Sequence, residues 1–148
     1  MSLELRVNDE IKTAMKAKDA VALRSLRAIK SAILLAKTDG SGKEVDDAIE
    51  LKIVQKLVKQ RKDSLEIFEK QNREDLAVKE REEIAVISKF LPAQMDAAEL
   101  ETFIKGIIEQ TGASSMKDMG KVMGMASKQL AGKADGKTIS NVVKALLG

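Results

Sequence analysis

Leu91-Pro92-Ala93-Gln94-Met95 contains the only proline in the chain, and its reading decides the fold. Proline disfavours the α conformation at the residue before it, so a helix arriving from the N-terminal side is expected to end near Leu91. Directly beyond, Asp96 and Glu99 have the spacing of a capping box, in which the first side chain takes an amide of the opening turn. A stop signal followed at once by a start signal marks a hinge between helical units. The chain is read as an N-terminal helical domain, residues 1–92, and a C-terminal one, residues 93–148.

Back from the proline, apolar residues recur at the helical period. Leu76, Ala77, Ile84 and Ile87 make the inner stripe of the helix that ends near Leu91, and Asn72 with Asp75 offers a break or cap before it. A long helix precedes it, with Val54, Leu57, Val58, Leu65 and Phe68 on one face and Asp47 with Glu50 as its capping box. Thr38-Asp39-Gly40-Ser41-Gly42 reads as a flexible turn. The second helix reaches Lys37 and carries Ala22, Leu26, Ile29 and Ile33. The first runs from about Ser2 to Lys18 with Leu3, Val7, Ile11, Ala14 and Met15 on one face, and Asp19 caps the junction.

Forward from the proline, Leu100, Phe103, Ile104, Ile107 and Ile108 mark a helix that stops at Gly112. Ser115 and Asp118 open another, which stops near Gly132. Ala134-Asp135-Gly136 reads as a turn, and Ile139, Val142, Val143, Leu146 and Leu147 mark the last helix. The expected fold is all-α: an N-terminal four-helix part plus a C-terminal three-helix tail domain. A three-helix core this small is expected to be only marginally stable alone.

Composition narrows function. Of 148 residues, 44% are apolar and 33% charged, as expected for small helical cores with a large charged surface. Cysteine and histidine are absent, so thiolate nucleophiles, disulfides, His-dependent triads and Cys- or His-ligated zinc are excluded. Tryptophan and tyrosine are absent too. Phe68, Phe90 and Phe103 sit in apolar patterns, which leaves little to stack the bases of single-stranded RNA. No phosphate loop or dinucleotide fingerprint is present, and no cofactor or metal is expected. No apolar run reaches the roughly 18 residues of a membrane helix. The opening Met1-Ser2-Leu3-Glu4 lacks a secretory pattern, so a cytoplasmic location without membrane partners is expected.

The net charge of +3 is unevenly spread. Between residues 12 and 37, seven bases face one acid, a net of +6; between 63 and 83, eight acids face four bases, a net of −4; between 112 and 148, six lysines face two acids, a net of +4. In the sixth helix Met119, Val122, Met123, Ala126 and Leu130 share one side. Lys117, Lys121 and Lys128 share the other, with Gly120 and Gly124 within or beside them. A glycine in an exposed helix interior costs about 1 kcal/mol relative to alanine. Two of them among lysines are accounted for by the close approach of a helix or of a nucleic-acid backbone. Lys133, Ala134, Asp135, Gly136 and Lys137 add two lysines at the start of the seventh helix, where free amides suit phosphate. The one candidate for enzyme chemistry is the carboxylate group Asp75, Glu80 and Glu83, which Arg73, Lys79 and Arg81 interleave as on a salt-bridged surface. No catalytic residue is assigned.

Two stretches resemble the YqeY family. One is Arg73-Glu74-Asp75-Leu76-Ala77 with Lys79-Glu80, Glu83 and Phe90-Leu91-Pro92. The other, more specific, is Met119-Gly120-Lys121-Val122-Met123-Gly124 followed by Gly132-Lys133-Ala134-Asp135-Gly136-Lys137. The resemblance covers nearly the whole chain. It implies an all-α fold whose C-terminal part is similar to the GatB-type tail domain of the tRNA-dependent amidotransferase, a carbon–nitrogen ligase with glutamine as amido-N-donor. That tail contacts tRNA, and related modules are appended to some glutaminyl-tRNA synthetases. The resemblance places Gly120, Lys121, Gly124, Lys133, Asp135, Gly136 and Lys137 at the recognisable surface of the tail. These 148 residues hold no amidotransferase catalytic domain, so amide transfer is not expected of them.

Three functions compete. The first is a non-catalytic tRNA-binding accessory protein, using Lys117, Gly120, Lys121, Gly124, Lys128, Lys133, Asp135, Gly136 and Lys137, with tRNA as partner. The second is a protein adaptor whose glycine face receives a helix of an aminoacyl-tRNA synthetase or amidotransferase. The third is a carboxylate enzyme built on Asp75, Glu80 and Glu83.

Overall fold

A computed structural model describes residues 2–40 and 44–148. Among these the secondary structure is helical throughout, and the chain divides into two compact units, Met1–Leu91 and Pro92–Gly148. Of the stretch Thr38 to Gly42 read as a turn, Ser41 and Gly42 lie outside the described residues.

The first unit holds α1 (Leu3–Ala17), α2 (Ala20–Lys37), α3 (Asp47–Lys70) and α4 (Glu74–Ile87), the last followed by a single 3-10 turn, Ser88–Phe90. Capping side chains fix most of the starts. Ser2 accepts from the Leu5 amide at 3.2 Å, Asp19 from Ala22 at 3.0 Å and Asp46 from Ile49 at 2.9 Å. The cap of α3 is therefore Asp46, one residue before the expected Asp47. Glu50, the expected partner of that cap, instead accepts from the Leu3 amide at 3.0 Å and ties the start of α1 to α3. Lys18 and Asn72 take left-handed backbone conformations, φ 56° at each, where α1 and α3 end. Leu3, Val7, Ala14, Leu26, Ile29, Ile33, Val54, Val58, Ile87 and Phe90 form the core. Met15, expected on the inner face of α1, is 56% exposed, because its position lies about a quarter-turn off the Leu3–Val7–Ala14 line. The later part of α3 packs mainly on α4, so Leu65 and Phe68 are half-buried and Ile67 is exposed.

The second unit holds α5 (Ala97–Thr111), α6 (Met119–Gln129) and α7 (Gly136–Leu147), each packed on the other two. Asp96 caps α5 by accepting from the Glu99 amide at 2.8 Å, and Gly112 ends it at φ 67°, a value that favours glycine. The core is Leu100, Ile104 and Ile107 against Val122, Ala126 and Leu130 and against Ile139, Val143 and Leu147. Each large side chain buried there contributes about 1.5–3 kcal/mol, which must offset the ordering entropy of a short chain.

Candidate nucleic-acid interface

In α6 the buried positions Val122, Ala126 and Leu130 face the core, with Met119 and Met123 half-buried beside them. Helical geometry then turns Gly120, Lys121, Gly124 and Lys128 outward, and all four are exposed. A Cβ added at Gly120 or Gly124 would meet nothing within 4 Å. No described part of the chain crowds these glycines, so intramolecular packing does not account for them. Lys117 lies just outside α6, in a single 3-10 turn, Met116–Asp118, that Ser115 caps through the Lys117 amide at 3.3 Å. It is exposed like the others.

The second lysine group is positioned by the extended segment after the proline. The Met95 amide donates to the Lys133 carbonyl at 3.0 Å, and the Gln94 side-chain amide donates to the Gly132 carbonyl at 2.6 Å. Gly132 is buried at φ 79°, where a Cβ would be strained. This fixes the turn from which Lys133 projects. Asp135 is the N-cap of α7, accepting from the Thr138 amide at 2.7 Å, and Gly136 is the first residue of that helix rather than part of a free turn. Asp135 thus acts as a scaffold for the loop, its charge placed at the positive end of α7. Lys133, Gly136 and Lys137 are exposed. Among the described residues, the amines of Lys117, Lys121, Lys128, Lys133 and Lys137 make no ion pair, whereas Lys105 pairs with Glu101 at 3.2 Å and Lys70 with Glu66 at 3.1 Å.

The carboxylates of α4 are arranged differently. Arg73 grips Asp75 with two bonds, 3.1 and 3.0 Å, which hold that carboxyl below its usual range. Arg81 binds Glu74 and lies 3.1 Å from Glu69. Glu83 is bridged by Arg24 of α2 at 3.0 Å and Arg61 of α3 at 3.2 Å. Beside this junction one oxygen of Glu80 is buried without a hydrogen-bond partner. Desolvation, then the neighbouring Glu83, raises the Glu80 carboxyl, against the pull of Arg61 and Arg24. Asp75, Glu80 and Glu83 therefore do not converge on a common point, and among the described residues no group of three or more acidic residues could hold a metal ion. The three-helix arginine–glutamate junction was not legible as such: it needs α2, α3 and α4 brought together.

A shallow open depression of about 450 Å³ lies along α5, lined by Met95, Ala98, Glu99, Thr102 and Phe103. Its one ionisable group, Glu99, is raised by its hydrogen bond to the Asp96 carboxyl. It shares no residue with the lysine groups.

These features define an all-α protein of two small helical units. The comparison with known families goes further: the family described as Yqey-like protein matches residues 4–147, and the chain belongs to it. Relatives named "Altered inheritance of mitochondria protein 41, mitochondrial" are similar. That of Vanderwaltozyma polyspora is 34% identical over 78% of this chain and 65% of its own length. That of Kluyveromyces lactis is 30% identical over 94% and 72%, and that of Pyrenophora tritici-repentis 27% over 97% and 80%. The chain thus spans about two-thirds of the length of the first two relatives. No helix among its described residues is long and apolar enough to cross a membrane.

Proposed function

We propose that this protein is a non-catalytic accessory of tRNA metabolism whose C-terminal unit docks on folded tRNA. The observation that carries the reading is the outward face of α6. Two glycines stand in open space between exposed lysines that have no acidic partner among the described residues. A protein that needed only solubility would gain helix stability from alanine at both positions. A surface that must let a phosphodiester backbone come close, with cations beside it, has a use for glycine there. Lys133 and Lys137 extend the same chemistry at the start of α7. With no stacking aromatics on this face, recognition is by shape and phosphate, the mode suited to folded RNA. The cytoplasm is the compartment proposed for it; the fungal relatives are named as mitochondrial.

Fluorescence anisotropy with labelled total tRNA, at low and moderate salt, tests the reading. Binding should weaken as salt rises. Replacing Lys117, Lys121 and Lys128 with glutamine should flatten the log–log salt slope by about one unit for each phosphate no longer neutralised. Tight, salt-insensitive capture of a synthetase or amidotransferase, with no RNA bound at low salt, would instead identify the glycine face as a helix-docking surface.

A further inference from the structure

We infer that the outer face of the α1–α2 hairpin docks on anionic lipid surfaces, its cations at the phosphates and its leucine and methionine side chains in the headgroup layer. The inference goes beyond the RNA-docking reading, which concerns the other unit. An ion pair between Glu4 and Lys37 holds the start of α1 beside the end of α2 and marks the seam between them. Leu5 follows Glu4, and Leu34 stands one turn before Lys37, so both lie at that end of the hairpin. By the helical period, Leu5, Lys12 and Met15 of α1 and Arg27, Lys30 and Leu34 of α2 flank the seam on the side turned away from the core residues Val7, Ala14, Leu26 and Ile33. Lys16 and Leu35 stand at its rim.

Two independent observations select the partner. The first is charge. Among the described residues Lys12, Lys16, Arg27 and Lys30 make no ion pair, whereas Arg24, Arg61, Arg73 and Arg81 of the same unit are all paired. Glu4, the acid on the seam, is neutralised by Lys37, and Asp9 and Glu10 fall on other sides of α1. The second is apolar exposure. Leu5, Met15, Leu34 and Leu35 are between 46% and 70% exposed. They are four of the seven large apolar side chains exposed among the described residues, on two helices that hold less than a quarter of the chain. An RNA backbone would use the cations but has no use for the leucines and methionine. A partner helix would need a continuous apolar groove, but Lys12 interrupts the run from Leu5 to Met15, which spans about 15 Å along α1. A headgroup layer takes both kinds of side chain at once, apolar groups at the acyl boundary and cations at the phosphates. The lack of a membrane-spanning run does not bear on this, because a helix lying in the interface needs none.

The test uses the full chain at low salt, with vesicles of phosphatidylcholine alone and of phosphatidylcholine and phosphatidylserine in a two-to-one ratio. The protein should float with the mixed vesicles and not with the neutral ones. Tryptophan and tyrosine are absent from the chain, so Leu34→Trp installs a single indole reporter on the face, and its emission should move to the blue on the mixed vesicles. Lys12→Gln together with Arg27→Gln should weaken vesicle binding roughly fivefold for each cation removed. Thermal melting of each variant checks that the exposed substitutions leave the fold intact. No flotation with the mixed vesicles at low salt overturns the inference. So does flotation with unmoved Leu34→Trp emission, which would assign the contact to another surface, such as the lysines of the C-terminal unit. Weakened tRNA binding in the Lys12→Gln, Arg27→Gln variant, with no vesicle bound by the parent protein, would give the face to RNA and overturn it too. None of these outcomes decides tRNA docking by α6, which the salt-dependent anisotropy and the lysine substitutions of the C-terminal unit test separately.

Discussion

Replacing Gly120 and Gly124 with alanine separates what the fold needs from what the surface does. Gly124 lies in the interior of α6, where the exchange should stabilise the helix by about 1 kcal/mol. Gly120 is the second residue of α6, inside the first turn, where the propensity gain is smaller. The added methyl groups meet nothing within 4 Å, so no steric cost offsets these gains. Together they amount to roughly 1–2 kcal/mol, part of it from a less flexible unfolded chain. For a unit of this size, each kcal/mol moves the midpoint by about 4–8 °C. Thermal melting followed by the helical CD signal should therefore show a clear rise, and hydrogen exchange of the α6 amides should assign it to the C-terminal unit. Binding of tRNA should weaken in the same variant. An unchanged or lower midpoint would refute the claim that both positions are open helix surface. A higher midpoint with undiminished tRNA binding would refute the claim that RNA approaches there.

Glu80→Gln tests the junction in the first unit. The Glu80 carboxyl is raised in the folded state, so the fold binds its proton more tightly than the unfolded chain does. Its contribution is favourable below the ordinary carboxylate range and is lost as pH rises through the raised value. Glutamine should accordingly stabilise the unit at neutral pH, and the gain should fade on acidification into the carboxylate range; denaturant titrations at both pH values measure this. Asp135→Ala should cost the C-terminal unit about 1 kcal/mol through the lost cap of α7, visible as a lower midpoint, whereas Asp135→Asn should retain most of the stability.

The helical pattern was legible because each helix must bury a stripe. Val122, Ala126 and Leu130, or Ile139, Val143 and Leu147, announce their buried face by spacing alone. Details that depend on a choice between adjacent residues were less legible. Asp46 and Asp47 are chemically alike, and only the path of the chain selects Asp46 as the cap. Asn72 and Asp75 offered a break or a cap: the break is there, with Asn72 at φ 56° between α3 and α4, but α4 starts without a side-chain cap and Asp75 serves Arg73 instead. The outward placement of Gly120, Lys121, Gly124 and Lys128 followed from the same periodicity as the core. The link between Arg24, Arg61 and Glu83 did not, since those residues come from three helices far apart in sequence.

The bonds from Gln94 and Met95 to the turn at Gly132 and Lys133 bear on where the chain can be cut. A protease or a cloning boundary that removes residues through Met95 spares every helix of the second unit but deletes the donors that hold that turn. A fragment trimmed to the start of α5 would then carry a loosened Lys133, and whatever that turn contacts would be held less well by the fragment than by the whole unit. A fragment beginning at Leu91 keeps the brace.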